Sequence, residues 1–181
     1  MTGLPPEPIA ATRRWLERAV IGLNLCPFAK AVHVKRQIRF VLAESTTPEA
    51  LLNVLESELE RLRDTPPDVL DTTLIVHPQV LRDFLAYNDF LDQADACIDR
   101  LRLRGEIQVA SFHPDYVFAG EAADDAANCT NRSPYPMLHL LREASVERAV
   151  AAFPDANVIV DRNIATMRRM GLAGYRRLLD D

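Results

Sequence analysis

Three short β-forming stretches, separated by two amphipathic segments, constrain this chain more than any motif does. Residues 36–42 alternate in part, with Ile38 and Phe40 on one face and Arg39 and Val41 on the other. Residues 72–76 are a β-branched run, Thr72-Thr73-Leu74-Ile75-Val76, and residues 106–112 form a third stretch of the same kind. Between the first and second, Leu51, Leu52, Leu55, Leu59 and Leu62 recur at helical spacing. Between the second and third, Leu81, Phe84, Leu85, Leu91, Ala94, Ile98 and Leu101 do the same, with Asn88-Asp89 as a place to kink. The order strand, helix, strand, helix, strand predicts parallel strands joined by right-handed crossovers. The expected fold class is therefore α/β: a small three-stranded, mostly parallel sheet flanked by helices, with a helical C-terminal part.

Local signals set the element ends. Ile9, Trp15, Leu16, Ala19, Val20 and Leu23 predict a helix over residues 8–23, with Asn24 as C-cap and Pro27 forcing a stop by Leu25. Thr47 suits an N-cap, Pro48 the first helical position and Glu49 the positive end of the dipole, and Pro66-Pro67 closes that helix. Ser145 is expected to cap a short helix through Ala152, stopped by Pro154-Asp155. The tail reads as an extended segment from Asn157 and then a helix with Val160, Ile164, Met167 and Met170 inward and Gly171 as its C-cap.

Composition narrows the class. At 181 residues and 48% hydrophobic, the chain suits one domain, residues 1–181, with a full core. A formal charge of −5 argues against nucleic acid or an anionic membrane as partner. No stretch reaches the roughly 18 apolar residues that span a bilayer, and residues 1–6 lack a basic start followed by an apolar run. Cys26, Cys97 and Cys129 form no CxxC pair, so reduced thiols in the cytoplasm are expected, with neither a disulfide framework nor a zinc knuckle.

Topology then points to a site. Ligands of open parallel sheets collect beyond the carboxyl ends of the strands, which here read Glu44-Ser45, His77-Pro78 and His113-Pro114-Asp115. His113 is a candidate general acid or base oriented by Asp115, or part of a metal set completed by His77 or His139; the plain alternative is a structural turn. In Asn131-Arg132-Ser133-Pro134-Tyr135-Pro136, Ser133 suits an N-cap and Pro134 the first helical position, so His139 is expected on a helix with Tyr135 and Arg142 on the same face. Two prolines remove amides that would cradle an anion and leave Arg132 as a planar fork for carboxylate or phosphate, unless it pairs with an acid of the 119–130 loop (Glu121, Asp124, Asp125). That loop has the length of a lid.

Cys26 reads as a nucleophile, a redox thiol or a thiolate ligand, or else as a small buried hydrophobe. Arg162, Arg168, Arg169, Arg176 and Arg177 make the tail basic, as a solvated face or an interaction surface. The residues therefore assign catalysis to His113, Asp115, Cys26 and His139, and substrate binding to Asn131, Arg132, Tyr135 and Arg162. They single out no cofactor and no metal. The leading expectation is a cytoplasmic enzyme acting on a small anionic substrate by His/Asp acid–base chemistry. The alternative is a non-catalytic protein that binds metal or haem or serves a regulatory partner.

Four segments carry a resemblance: Leu23-Asn24-Leu25-Cys26-Pro27-Phe28-Ala29, Ser111-Phe112-His113-Pro114-Asp115-Tyr116, residues 131–143, and Arg162-Asn163-Ile164-Ala165-Thr166. Together they resemble the bacterial family known as DUF1415, a domain of unknown function. The resemblance implies a single-domain bacterial protein and carries over no reaction or site.

Overall fold

Alternating side chains in the strands and three-to-four spacing in the helices leave two separate apolar surfaces to bury, and the chain covers both. The computed structural model describes residues 7–152 and 156–180. Helix α1, Glu7–Trp15, runs on through a π-helical turn, Leu16–Ile21, and is followed by a short helix α2, Ala29–Val34. Strand β1, Ile38–Leu42, leads to α3, Pro48–Asp64, whose first turn is capped as the sequence predicts: the Thr47 hydroxyl accepts from the Ala50 amide at 3.2 Å. Strand β2, Thr72–Val76, leads to α4, Phe84–Arg100, and then to β3, Ile107–Phe112. A 3₁₀ turn, Ala126–Thr130, precedes β4, Met137–Arg142; helices α5, Glu143–Ala151, and α6, Ala156–Asp180, complete the chain.

The sheet has four strands in the order β1-β2-β4-β3. β1 and β2 are parallel, and β4 is antiparallel to both of its neighbours, β2 and β3. Hence β1, β2 and β3 all point the same way, as the crossover argument requires, with one reversed strand between the second and third. Met137 pairs with Val76 on one side and Phe112 on the other, so the carboxyl ends of β2 and β3 and the start of β4 meet at one rim.

Each face of the sheet carries its own core. Ile75, Leu138, Leu140 and Ile107 pack beneath Leu51, Leu55, Leu59 and Leu62 of α3 and Tyr87, Phe90 and Ala94 of α4. Leu74 and Met137, with Ile38, Phe40 and Phe112, face Trp15 and Leu16 near the start of the chain and Met167 and Tyr175 of α6. Long-range polar contacts tie the layers together. The Tyr175 hydroxyl accepts from Trp15 Nε1 at 3.0 Å and donates to the Arg132 carbonyl at 2.6 Å. The Arg142 guanidinium donates to the carbonyls of Leu62, Thr65 and Leu70, taking up acceptors that the end of α3 leaves unpaired.

Several expectations are corrected. The sheet has four strands rather than three and is mixed rather than mostly parallel, with one parallel and two antiparallel pairings; Ser133-Pro134 starts no helix, because residues 137–142 form the inner strand β4, so His139 and Arg142 stand on a strand. An uninterrupted apolar run such as Met137-Leu138-His139-Leu140-Leu141 satisfies either period, and pairing on both edges decides for the sheet. Leu81 lies in a left-handed turn (φ 56) ahead of α4, which starts at Phe84 behind an Asp83 cap and runs unbroken past Asn88. Ser145 lies inside α5 and donates to Asp71 rather than capping a helix. The tail is helical from Ala156 instead of extended at Asn157, and its break falls at Gly171 (φ 71). The stop expected at Pro154-Asp155 lies outside the described residues.

Leu55 is fully buried in the centre of the α3 layer. Leu55→Ala is expected to cost about 2–5 kcal/mol of unfolding free energy in a denaturant titration; a loss below about 1 kcal/mol would contradict this packing.

Candidate functional site

The rim where β2, β4 and β3 meet is built by main-chain pairing. The His77 amide donates to the Pro136 carbonyl at 3.0 Å and the His113 amide to the Asn131 carbonyl at 3.2 Å, stitching the proline-rich turn to two strand ends. The Tyr87 hydroxyl reinforces the junction, donating to the Met137 carbonyl at 2.8 Å and accepting from the Phe112 amide at 3.0 Å. Beneath α4 the rings of His77, Tyr87, Phe84 and His113 pack in contact, with centroids 5.1 to 5.9 Å apart along the chain from His77 through Tyr87 to His113 and Phe84.

The histidines at this rim are engaged with the backbone. His113 Nδ1 accepts from the Asp115 amide at 3.0 Å, which leaves Nε2 protonated to donate to the Leu81 carbonyl at 3.2 Å. The Asp115 side chain is exposed, and it is the Asp115 amide that bonds the ring. His77 donates from Nδ1 to the Val80 carbonyl at 3.0 Å, while its Nε2 is buried and unpaired among the described residues. His139 bonds Thr72, whose hydroxyl donates to the Leu140 carbonyl and therefore accepts from His139 Nε2 at 2.7 Å. Burial lowers His77 and His139 to about 4, and lowers His113 as well. No group of three or more His, Cys, Asp or Glu side chains able to hold a metal occurs among the described residues.

The cavity lies on the opposite face of the sheet. A half-open pocket of about 430 Å³ is lined by Val20 of the π turn, Leu25 and Cys26 after it, Phe112 at the end of β3, Phe118, Ala119 and Glu121 of the loop, Ala127, Thr130 and Asn131 before β4, and Val160, Asn163 and Ile164 of α6. The wall is mostly apolar, and its polar groups largely hold the wall together. Asn163 Nδ2 donates to the Leu25 carbonyl at 2.7 Å, and Arg162 donates to the Asn24 carbonyl at 2.6 Å, so α6 clamps the loop that carries Cys26. Asn131 Nδ2 donates to the Ser111 carbonyl at 3.1 Å, and Thr130 to the Ala127 carbonyl at 3.0 Å. Asn24 holds the turn at φ 53, a conformation that asparagine tolerates better than most residues.

Of the eight residues singled out from sequence, Cys26 and Asn131 line this cavity and Arg162 braces it from behind. His113 and Asp115 belong to the turn after β3, with the His113 ring towards α4. His139 stands half-buried on the sheet beside Phe112, ring centroids 6.0 Å apart. Arg132 turns away: its guanidinium donates to the Tyr116 carbonyl at 3.1 Å and the Ala123 carbonyl at 2.7 Å, pinning the 119–130 loop. Tyr135 bonds the Glu7 carboxylate of α1. Phe118, Thr130 and Asn163 escaped the sequence reading; only Asn163 carried a signal, as the neighbour of Arg162 in a distinctive run.

The lowered histidines make stability fall with acid. A group whose folded pKa lies below its unfolded value of about 6.5 lets the unfolded chain take up the proton first, so the stabilisation is complete above that value and drains away towards pH 4. The melting temperature should therefore drop between about pH 7 and pH 5, and the drop should shrink in His77→Gln and His139→Gln whatever their own stability at pH 7. An undiminished drop in both variants would assign the acid sensitivity to other groups.

Neither the curated proteins nor the solved structures compared with this chain include a match. The family model described as "Protein of unknown function (DUF1415)" matches residues 7–177. The segments that carry the likeness include the loop of Cys26, the end of β3 with its following turn, the proline-rich run before β4 and the start of α6, and all four contribute residues to the cavity wall. The chain belongs to the DUF1415 family.

Proposed function

We propose that this protein binds a small, mostly apolar, uncharged molecule in the cavity between the Cys26 loop and α6, and that the Cys26 thiol is the group there with which a ligand reacts. One observation carries the reading. Separate distinctive segments of the chain converge on one mostly apolar, half-open pocket, with a half-buried thiol in its wall. The pairing of Arg162 and Asn163 with the Asn24 and Leu25 carbonyls supports it, because it holds that thiol on an ordered loop.

The anionic substrate expected from sequence is less well supported than a neutral one. Glu121 is the only charged residue lining the cavity among those described, and Arg132 spends two of its donor nitrogens on main-chain carbonyls. Acid–base chemistry by His113 and Asp115 draws little support either, since backbone groups bond both ring nitrogens. Cys26, Cys97 and Cys129 are all free thiols, which suits a reducing compartment such as the bacterial cytoplasm.

Thiol labelling tests the proposal directly, because Cys97 and Cys129 are only 2% and 1% exposed and should resist alkylation in the folded protein. Iodoacetamide followed by peptide mass spectrometry should modify Cys26 first. A panel of small neutral aromatic and aliphatic compounds should contain members that slow this labelling at least about tenfold and raise the melting temperature. Ile164→Trp, which fills the cavity, should remove that protection. Protection by carboxylates or phosphates alone would restore the anionic reading, and none by any compound would leave the cavity without a ligand role.

A further inference from the structure

A second cleft, of about 560 Å³, lies near the amino end of β1, at the opposite end of the sheet from the thiol cavity. It is lined by Arg13, His33, Val34, Arg36 and Ile38. Its charge is unusual for a chain of net −5. Neither Arg13 nor Arg36 has a carboxylate partner among the described residues, and no acid is among the residues that line the cleft to offset them. The Glu17 carboxylate lies 3.4 Å from His33 Nε2 and engages that side of the ring. The carbonyls at the end of α2 do not oppose an anion freely, because the amides of Lys35, Arg36 and Gln37 take up those of Ala31, His33 and Val32.

The site is shaped as well as charged. The Arg13 guanidinium lies over the Phe40 ring, 4.1 Å from its centroid, a contact that fixes the fork while leaving its edge N–H groups available. Arg36 keeps a left-handed backbone (φ 58) at which glycine would be relaxed, and that turn sets its side chain on the cleft. Val34, 70% exposed, and Ile38 add an apolar wall beside the cations.

We infer that this cleft binds a phosphomonoester with an apolar substituent, its phosphate held by Arg13 and Arg36 and its apolar part against Val34 and Ile38. Two arginine forks suit a dianion, whose three terminal oxygens accept from several donors at once, better than a carboxylate with two. The inference is independent of the thiol cavity and of its ligand.

Phenyl phosphate is a suitable probe, with benzoate as the monoanionic control, by calorimetry on the full chain. Wild type should bind phenyl phosphate at least about tenfold more tightly than benzoate, and more weakly as salt rises. Arg36→Gly, which relaxes the backbone at that turn, should weaken phenyl phosphate about tenfold without loss of melting temperature, and Arg13→Gln with Arg36→Gly about a hundredfold. Vesicles containing phosphatidate separate the sources of such a group: co-sedimentation lost in the double variant would put the same phosphate on a lipid, and its absence beside phenyl phosphate binding would put it on a soluble ester. No binding to either form of phosphate, equal binding of benzoate, or unchanged affinity in the double variant would overturn the inference.

Discussion

The two-sided pairing of β4 is the constraint on which the rest of the molecule rests. A strand set antiparallel between two neighbours has its amides and carbonyls satisfied on both edges, so its register fixes where β2 and β3 end relative to each other. Met137 is the hinge of that register, opposite Val76 and Phe112 at once. From it follow the bonds that join the His77 and His113 amides to the proline-rich turn and the position of Asn131 in the cavity wall. Tyr87 locks the same corner through its hydroxyl, whose burial raises its pKa well above the ordinary tyrosine value and keeps it a neutral donor.

The two faces of the sheet divide the work. Towards α3 and α4 the packing is nearly all aliphatic and aromatic, and the histidines there are bonded to loop carbonyls and to the amide of Asp115. Burial holds them neutral, and a neutral imidazole with a committed proton acts as a clasp for the 77–83 and 113–116 turns. Towards α1 and α6 the layer is less complete, because the loop from Gly22 to Phe28 and the loop before the 3₁₀ turn must meet α6 at its amino end. The thiol cavity occupies that gap, closed by Arg162 and Asn163 reaching to main-chain carbonyls.

Charge is distributed along the same lines. Arg168 of α6 pairs with Asp125 and Glu121, so part of the basic tail neutralises the acidic loop and holds it over the cavity. Exposed pairs of this sort contribute little to stability individually, and their effect here is to keep the loop in place. At the far end of β1, Arg13 and Arg36 stand without a carboxylate partner among the described residues.

Much of this was legible in the residues. The runs at 72–76 and 107–112, the cap at Thr47-Pro48 and the common direction of β1, β2 and β3 follow from local periodicity, turn chemistry and the strand–helix–strand order. The strand at 137–142 did not, because leucine and methionine in an unbroken run serve a helix and a doubly buried strand equally well, and Ser133-Pro134 mimics a helix start. Only tertiary structure chose between them, through hydrogen bonds to residues more than twenty positions away. The same holds for the side chains of the rim: sequence assigned His113 and Arg132 to chemistry by residue type, but what they face depends on which main-chain carbonyls the folded chain leaves in need of a donor. Local sequence thus determined β1, β2, β3 and the long helices α3 and α4, because their periods and caps are local, while long-range pairing decided that residues 137–142 form a strand and which side chains open onto a cavity or close the backbone around it.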